Sequence, residues 1–277
     1  MKVLPRRYID AIKSLKSNSD IKVCFSDKGK ETVVCYRATY LNLVTNHYSN
    51  TTFYTPVENT DMAGHDLEHM VNDLKEDLSG FVMGAPDKKH KNIIKGLFPP
   101  TKARFPLGRC NLKTHKSNIT EDSIPVRPII SNTNSPTSNL ASFLGRCLTK
   151  NLGVVSNKHL GSTETFANFV KDCTSRGKLM SLDVEQLFTC IPTDCIISFL
   201  RNKSGGWGDT IPPEPEKVAA EPVYNFGMDA KIFCDLVELC LSYNQFKVEG
   251  DFYRQTHGLF MGSSISPPPG SNVYGVF

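Results

Sequence analysis

The spacing of apolar residues changes several times along the chain, and each change predicts an element. Tyr8, Ile12 and Leu15 recur at helical spacing and predict a short amphipathic helix. Two β-prone runs follow, 21–25 and 32–36. The Ser-Asp-Lys-Gly-Lys-Glu stretch between them predicts a hairpin. Leu67, Met70, Val71, Leu74 and Leu78 return to a helical period and predict a helix over 65–82. Residues 123–131 are β-prone, but Pro125 and Pro128 lack the N–H a ladder needs and confine the strand to an edge or a bulge.

Residues 136–150 and 163–174 read as helices, and 178–184 as a strand. Pro192 followed by Thr193 and Asp194 opens another helix. From Asn202 to Tyr224 the composition shifts to Gly, Pro and Glu and predicts a loop. Asp229 then caps a helix with Phe233, Leu236, Val237, Cys240 and Leu241 on one face. The last pattern, 246–255, is a hairpin turning at Glu249-Gly250-Asp251. Helices, hairpins and single strands mixed without an internal repeat predict an α+β fold.

Composition narrows the class. The chain has 277 residues, 39% hydrophobic and 22% charged, with net charge +4. Those are globular values, which exclude a disordered tail and a collagen-like fibre. No stretch approaches the ~18 apolar residues of a membrane span, and the N-terminus lacks the apolar core of a secretory signal. The expectation is a soluble intracellular chain, nuclear or cytoplasmic, not secreted and with no membrane partner. Nine cysteines, an odd number without a Cys-x-x-Cys pair, predict small buried thiols rather than disulfides.

The charge is segregated. Between Pro86 and Lys116 lie Lys88, Lys89, Lys91, Lys95, Lys102, Arg104, Arg109, Lys113 and Lys116 against Asp87 alone, a net +8 in 31 residues. The segment just upstream is acidic. Clustered cations interleaved with Phe98 and Phe105 suit a nucleic-acid phosphate track; a solvated basic loop or a nuclear-localisation patch at Pro-Asp-Lys-Lys-His-Lys also fits.

Three constellations could carry chemistry. The strand read over 178–184 carries Asp183 at its end; a buried carboxylate needs a partner or a metal, although a turn or helix-cap aspartate looks the same. Gly258 to Pro267, with Met261 and Gly262 at its centre, is a loop whose backbone can approach a substrate closely, or an ordinary turn. Lys113 and Arg127, on the two arms of a hairpin, would present two phosphate donors together, or two surface cations. A zinc site at His65 and His69 is set aside because the motif order and a third ligand are missing.

The order and spacing of these blocks resemble those of reverse transcriptases, with wording nearest to the Penelope-like retroelement enzymes. The similar stretches are 26–34, 111–116, 124–141, 179–192, 252–258 and 261–267. The resemblance implies fingers plus a partial palm of a right-hand polymerase. Residues 1–85 would be a helical and hairpin region leading into the fingers, 86–176 the fingers with the basic track, and 177–277 the partial palm, with no thumb. The implied activity is RNA-directed DNA polymerisation, adding dNTPs to a primer 3′-hydroxyl by two-metal phosphoryl transfer.

In that resemblance Asp183 is the catalytic, metal-binding aspartate, with the Val184 carbonyl beside it on Mg²⁺ or Mn²⁺. Phe188 is the steric gate against a 2′-hydroxyl. Lys113 and Arg127 hold the triphosphate, and Met261 and Gly262 line the nucleotide pocket. Lys88, Lys89, Lys91, Lys95, Lys102, Arg104, Arg109 and Lys116 follow the RNA template and DNA primer.

The sequence also departs from the family. It contains no Asp-Asp dipeptide, and no acid follows Asp251. Ser264 stands where the family usually has proline, and Asn111-Leu112 replaces Leu-Pro. The expectation is a C-terminally truncated, incomplete polymerase domain. The alternatives are a non-catalytic nucleic-acid-binding remnant and a fragment without a role.

Overall fold

The computed structural model describes residues 5–28, 31–57, 66–116, 120, 123–150, 162–172, 186–204 and 228–266. Strands form where the sequence alternates. β1 (Ile21–Phe25) and β2 (Thr32–Tyr36) pair antiparallel, with Val23 opposite Val34. A second sheet has the order β3-β7-β6-β4-β5. It is built from β3 (Tyr54–Pro56), β4 (Leu107–Leu112), β5 (Val126–Ser131), β6 (Gln245–Val248) and β7 (Asp251–Gln255). Its ladders are antiparallel except β4 with β6.

The proline reading of β5 holds, because the strand is at the sheet edge. Ile130, two residues beyond Pro128, sends its N–H outward to the Met261 carbonyl at 2.8 Å. Backbone direction alternates along a strand, so the missing N–H of Pro128 also belongs to the outward side and costs the β4 ladder nothing. The β6–β7 turn has positive φ at both Glu249 and Gly250, as a two-residue hairpin turn requires.

The helices are α1 (Arg6–Ser17), α2 (Arg37–Tyr48), α3 (Leu67–Gly84), α4 (Lys88–Lys95) and α5 (Ser138–Lys150). They continue with α6 (Thr163–Asp172), the single turn α7 (Leu187–Cys190), α8 (Thr193–Ser204) and α9 (Ala230–Ser242). Acidic N-caps set three starts: Asp66 accepts from the His69 N–H, Asp87 from the His90 N–H, and Asp229 from the Lys231 and Ile232 N–H groups. α1 is amphipathic as expected, yet it buries no residue. The predicted 202–224 loop needs a correction at its start, because Asn202–Ser204 complete the last turn of α8. The predicted strand 178–184 lies outside the described residues.

Burial divides into two cores. One is aliphatic and helical, joining Leu74 and Leu78 of α3, Leu140 and Leu144 of α5, Ile196 and Leu200 of α8, and Phe233 and Val237 of α9. The other lies between α2 and the five-stranded sheet and is largely aromatic, with Tyr40, Tyr48, Tyr54 and Phe246. Among the described residues the eight cysteines form no disulfide with one another; Cys110, Cys147, Cys234 and Cys240 are buried as expected, but Cys190 and Cys195, in α7 and α8 at the surface, are exposed. Among these residues no helix is long and apolar enough to cross a membrane.

Candidate nucleic-acid and nucleotide site

Strand alternation gives the five-stranded sheet two chemically different faces. Cys110, Leu112, Ile130, Phe246 and Val248 point into the aromatic core. The intervening positions carry Arg109 opposite Ile129, Asn111 opposite Arg127, Lys247 opposite Phe252, and Arg254 opposite Gln245. Lys113 continues β4 on that side, its N–H bonded to the Pro125 carbonyl at 2.9 Å. Lys113 and Arg127 are thus diagonal neighbours on one face. The open face gathers Arg109, Lys113, Arg127, Lys247 and Arg254, with Lys247 over the Phe252 ring at 4.9 Å.

One acid interrupts this cationic face. The β1–β2 connection folds on Ser26, whose hydroxyl donates to the Lys28 carbonyl at 2.6 Å and accepts the Glu31 N–H. Ser26 bridges to Leu112, and the Asp27 N–H donates to the Leu112 carbonyl at 2.8 Å. That anchors Asp27 beside β4, from which its Oδ1 reaches the Arg127 Nε. The Asp27 side chain keeps 4% of its exposure and that of Arg127 keeps 39%. Nε is buried without an aligned hydrogen bond, so the contact is an ion pair, and among the described residues Oδ2 has no hydrogen-bond partner.

The glycine-rich loop 256–266 lies along the outer edge of β5. Gly262 has φ +127, and a Cβ there would lie 2.6 Å from the Ile130 carbonyl oxygen. Gly258, at φ +78, would drive a Cβ into the Phe188 carbonyl, which already accepts the Leu259 N–H at 2.6 Å. Gly145 of α5 leaves room for the Ser264 carbonyl. Asn132 Nδ2 donates to the hydroxyls of Thr137 at 3.3 Å and Ser263 at 3.5 Å, while Ser135 donates to Asn132 Oδ1. These buried contacts hold the 131–139 segment against the loop. Asn134, Ser138, Asn139, Ser142, Gly262 and Ser264 then help line a polar cavity of about 280 Å³.

The structure therefore places Met261 and Gly262 against the outer edge of β5 and ties the Phe188 carbonyl to the same loop through the Leu259 N–H, with Lys113 and Arg127 on the adjoining face. Phe188 is half-buried against the helical core. Asp183 and Val184 lie outside the described residues. Among the described residues no group of three or more His, Cys, Asp or Glu could hold a metal, so they supply no two-metal site. Lys88, Lys89, Lys91 and Lys95 are on α4, Lys102 and Arg104 on the connection to β4, and Lys116 beyond its end. All but Lys91 are exposed.

Burial shifts several groups beside the site. His47 is held below its ordinary value by burial and then by the Lys113 ammonium. Burial pushes Tyr40 and Cys110 each up to about 12, while the Tyr40 hydroxyl bridges the Cys110 backbone, donating to its carbonyl at 3.2 Å and accepting its N–H at 3.0 Å.

Sequence reasoning missed Asp27, Lys247, Arg254 and the Asn132 group. Strict alternation in 246–255, with Phe246 and Tyr253 facing inward, was the signal that placed Lys247 and Arg254 outward. Asp27 carried no such signal, because its role depends on a contact 100 residues away in sequence.

No protein-family model matches the chain, and no curated protein matches it. Among solved structures it is similar to telomerase from Candida albicans, determined in complex with a TWJ fragment of telomeric RNA. That similarity has 10% identity and a TM-score of 0.49, over 99% of this chain and 46% of that one. The chain thus spans about half the length of the telomerase chain.

Proposed function

We propose that this chain is a reverse-transcriptase-type domain of Penelope-like retroelement kind, which binds an RNA template, a DNA primer and an incoming dNTP. The observation that supports it is the two-faced sheet: one side is core, the other is cationic, and the Met261–Gly262 loop, to which the Phe188 carbonyl is bonded through Leu259, is packed at its edge. Lys113 and Arg127 hold the triphosphate, and Phe188 rejects a 2′-hydroxyl. The exposed cations of α4 and of the connection to β4 follow template phosphates. Asp183 and the Val184 carbonyl are the proposed ligands of Mg²⁺ or Mn²⁺, an ion that when bound neutralises charge on the transferring phosphate.

A second reading, nucleic-acid binding without polymerisation, draws on one feature of the sequence: it offers Asp183 but no Asp-Asp pair. Primer extension on poly(rA)·oligo(dT) with dTTP and Mg²⁺ separates the two. Extension by the wild-type chain that disappears in Asp183→Ala supports the polymerase. Salt-sensitive binding of the duplex by both proteins, with extension by neither, supports the binder. Absence of both activities rejects each reading.

A further inference from the structure

Among the described residues Asp27 is the one carboxylate buried beside the cationic face of the sheet, and a binding surface for phosphates has no electrostatic reason to keep it. Its backbone is fixed at both sides: the Asp27 N–H donates to Leu112, and Ser26 closes the turn through Lys28 and Glu31. The carboxylate is therefore placed by the strand end, and Arg127 comes to it. The contact is made at Nε, the inner edge of the guanidinium, which has no access to solvent, while the Arg127 side chain as a whole stays 39% exposed. An arginine held at its inner edge has fewer rotamers to lose when its outer donors meet a ligand. Among the described residues Oδ2 has no hydrogen-bond donor, so the Arg127 side chain is what the carboxylate meets.

We infer that Asp27 is a positioning residue: it fixes the Arg127 guanidinium so that Arg127 and Lys113 together meet the triphosphate chain of a nucleotide. This rests on the proposed role of Arg127 and Lys113 above, and adds to it a residue that touches no ligand itself.

The two physical effects of Asp27 have opposite signs, which makes the role testable. As a charge, it repels a bound polyphosphate, so its removal tightens binding. As a positioner, its removal frees the guanidinium and weakens binding. The test is calorimetric titration of the full 277-residue chain with inorganic tripolyphosphate, beside Asp27→Asn, Asp27→Glu and Arg127→Ala.

The expected result is a Kd about tenfold weaker for Asp27→Asn, the scale seen when the partner that orients a ligating group is lost. Asp27→Glu, which keeps the charge one methylene further out, should recover part of that loss. A merely structural carboxylate would lower the melting temperature and leave the Kd of the folded protein unchanged. Unchanged or tighter binding by Asp27→Asn, with Arg127→Ala weakened, overturns the inference and leaves the Arg127 role standing. Wild-type affinity in Arg127→Ala rejects the Arg127 role itself, and the inference with it. If Asp27→Asn lacks a folded near-ultraviolet spectrum, Asp27→Glu decides: weaker binding supports positioning, and wild-type affinity overturns it.

Discussion

The two cores hold their surroundings in different ways. The helical core is aliphatic, and its contacts are non-directional: Leu74, Leu144, Leu200 and Val237 exclude water and could exchange neighbours at modest cost. The sheet core is aromatic and tied by specific geometry. Tyr48 meets Tyr54 edge-on at 4.7 Å, Phe246 lies nearly parallel to Tyr253 at 5.9 Å, and the Tyr40 hydroxyl grips the Cys110 backbone. Such contacts fix register as well as burial. The difference matches what each core supports. The sheet core backs the cationic face that carries Arg109, Lys113 and Arg127, whereas the helical core backs the Phe188 turn.

Loop 256–266 joins the two. Leu259 and Ile265 enter the helical core, and Phe260, between them in sequence, enters the sheet core. Gly258→Ala should therefore have the largest effect. Left-handed backbone at a non-glycine residue costs roughly 1–3 kcal/mol, and the collision with the Phe188 carbonyl costs about as much again. Hydrogen exchange should show protection falling in both α9 and β6. Loss confined to α9 would mean that the loop does not join the cores.

The elements were more legible in the sequence than the site. Period and punctuation located α3, α9 and the β6–β7 hairpin because each is a local pattern: the Asp66 and Asp229 caps and the Glu249-Gly250 turn lie within a few residues of what they control. The edge position of β5 was legible for the same reason, since Pro128 is incompatible with a central ladder. Lys113 and Arg127 could be paired from the hairpin alone. Strand order was not legible, because β6 joins β4 through one parallel pairing across more than a hundred residues. Asp27 escaped for that reason too, and so did the exposure of α1, whose apolar stripe predicts a buried face that the described residues do not cover.

A smaller effect, alkaline titration, separates the cores without mutation. Burial raises Tyr48 and Tyr54 strongly and takes Tyr40 from an ordinary 10.0, and Cys110 from 9.0, up to about 12. In the helical core Cys240 is the buried thiol raised likewise, up to about 12. Raised values mean that the folded state keeps protons which the unfolded chain releases. Stability is thus full below pH about 9 and falls as pH rises toward about 12. The sheet core should give way first, seen as tyrosinate absorbance appearing together with loss of the aromatic near-ultraviolet signal. Tyr40→Phe should shift that transition to higher pH. If tyrosinate forms while the near-ultraviolet signal persists, the aromatic core is not what fails.

The smallest expected effect is the most informative about the cationic face. His47 sits in α2, with Nε2 3.4 Å from the Tyr54 hydroxyl, and feels the charge of Lys113. Burial first and the Lys113 ammonium second lower its pKa from 6.5. The neutral ring is therefore favoured in the fold, and its contribution to stability is present above pH about 6.5 and lost as pH falls. An anion bound to Lys113 offsets the ammonium and must move His47 upward, as must Lys113→Ala. Imidazole NMR titration with and without tripolyphosphate reads both shifts against one reference. An upward move in Lys113→Ala, with none on adding tripolyphosphate to the wild type, would show that Lys113 acts on His47 but does not meet the anion. Arg127 would then bind phosphate without its diagonal neighbour. Equal upward moves would place the triphosphate on Lys113, and through it connect the cationic face to the aromatic core behind it.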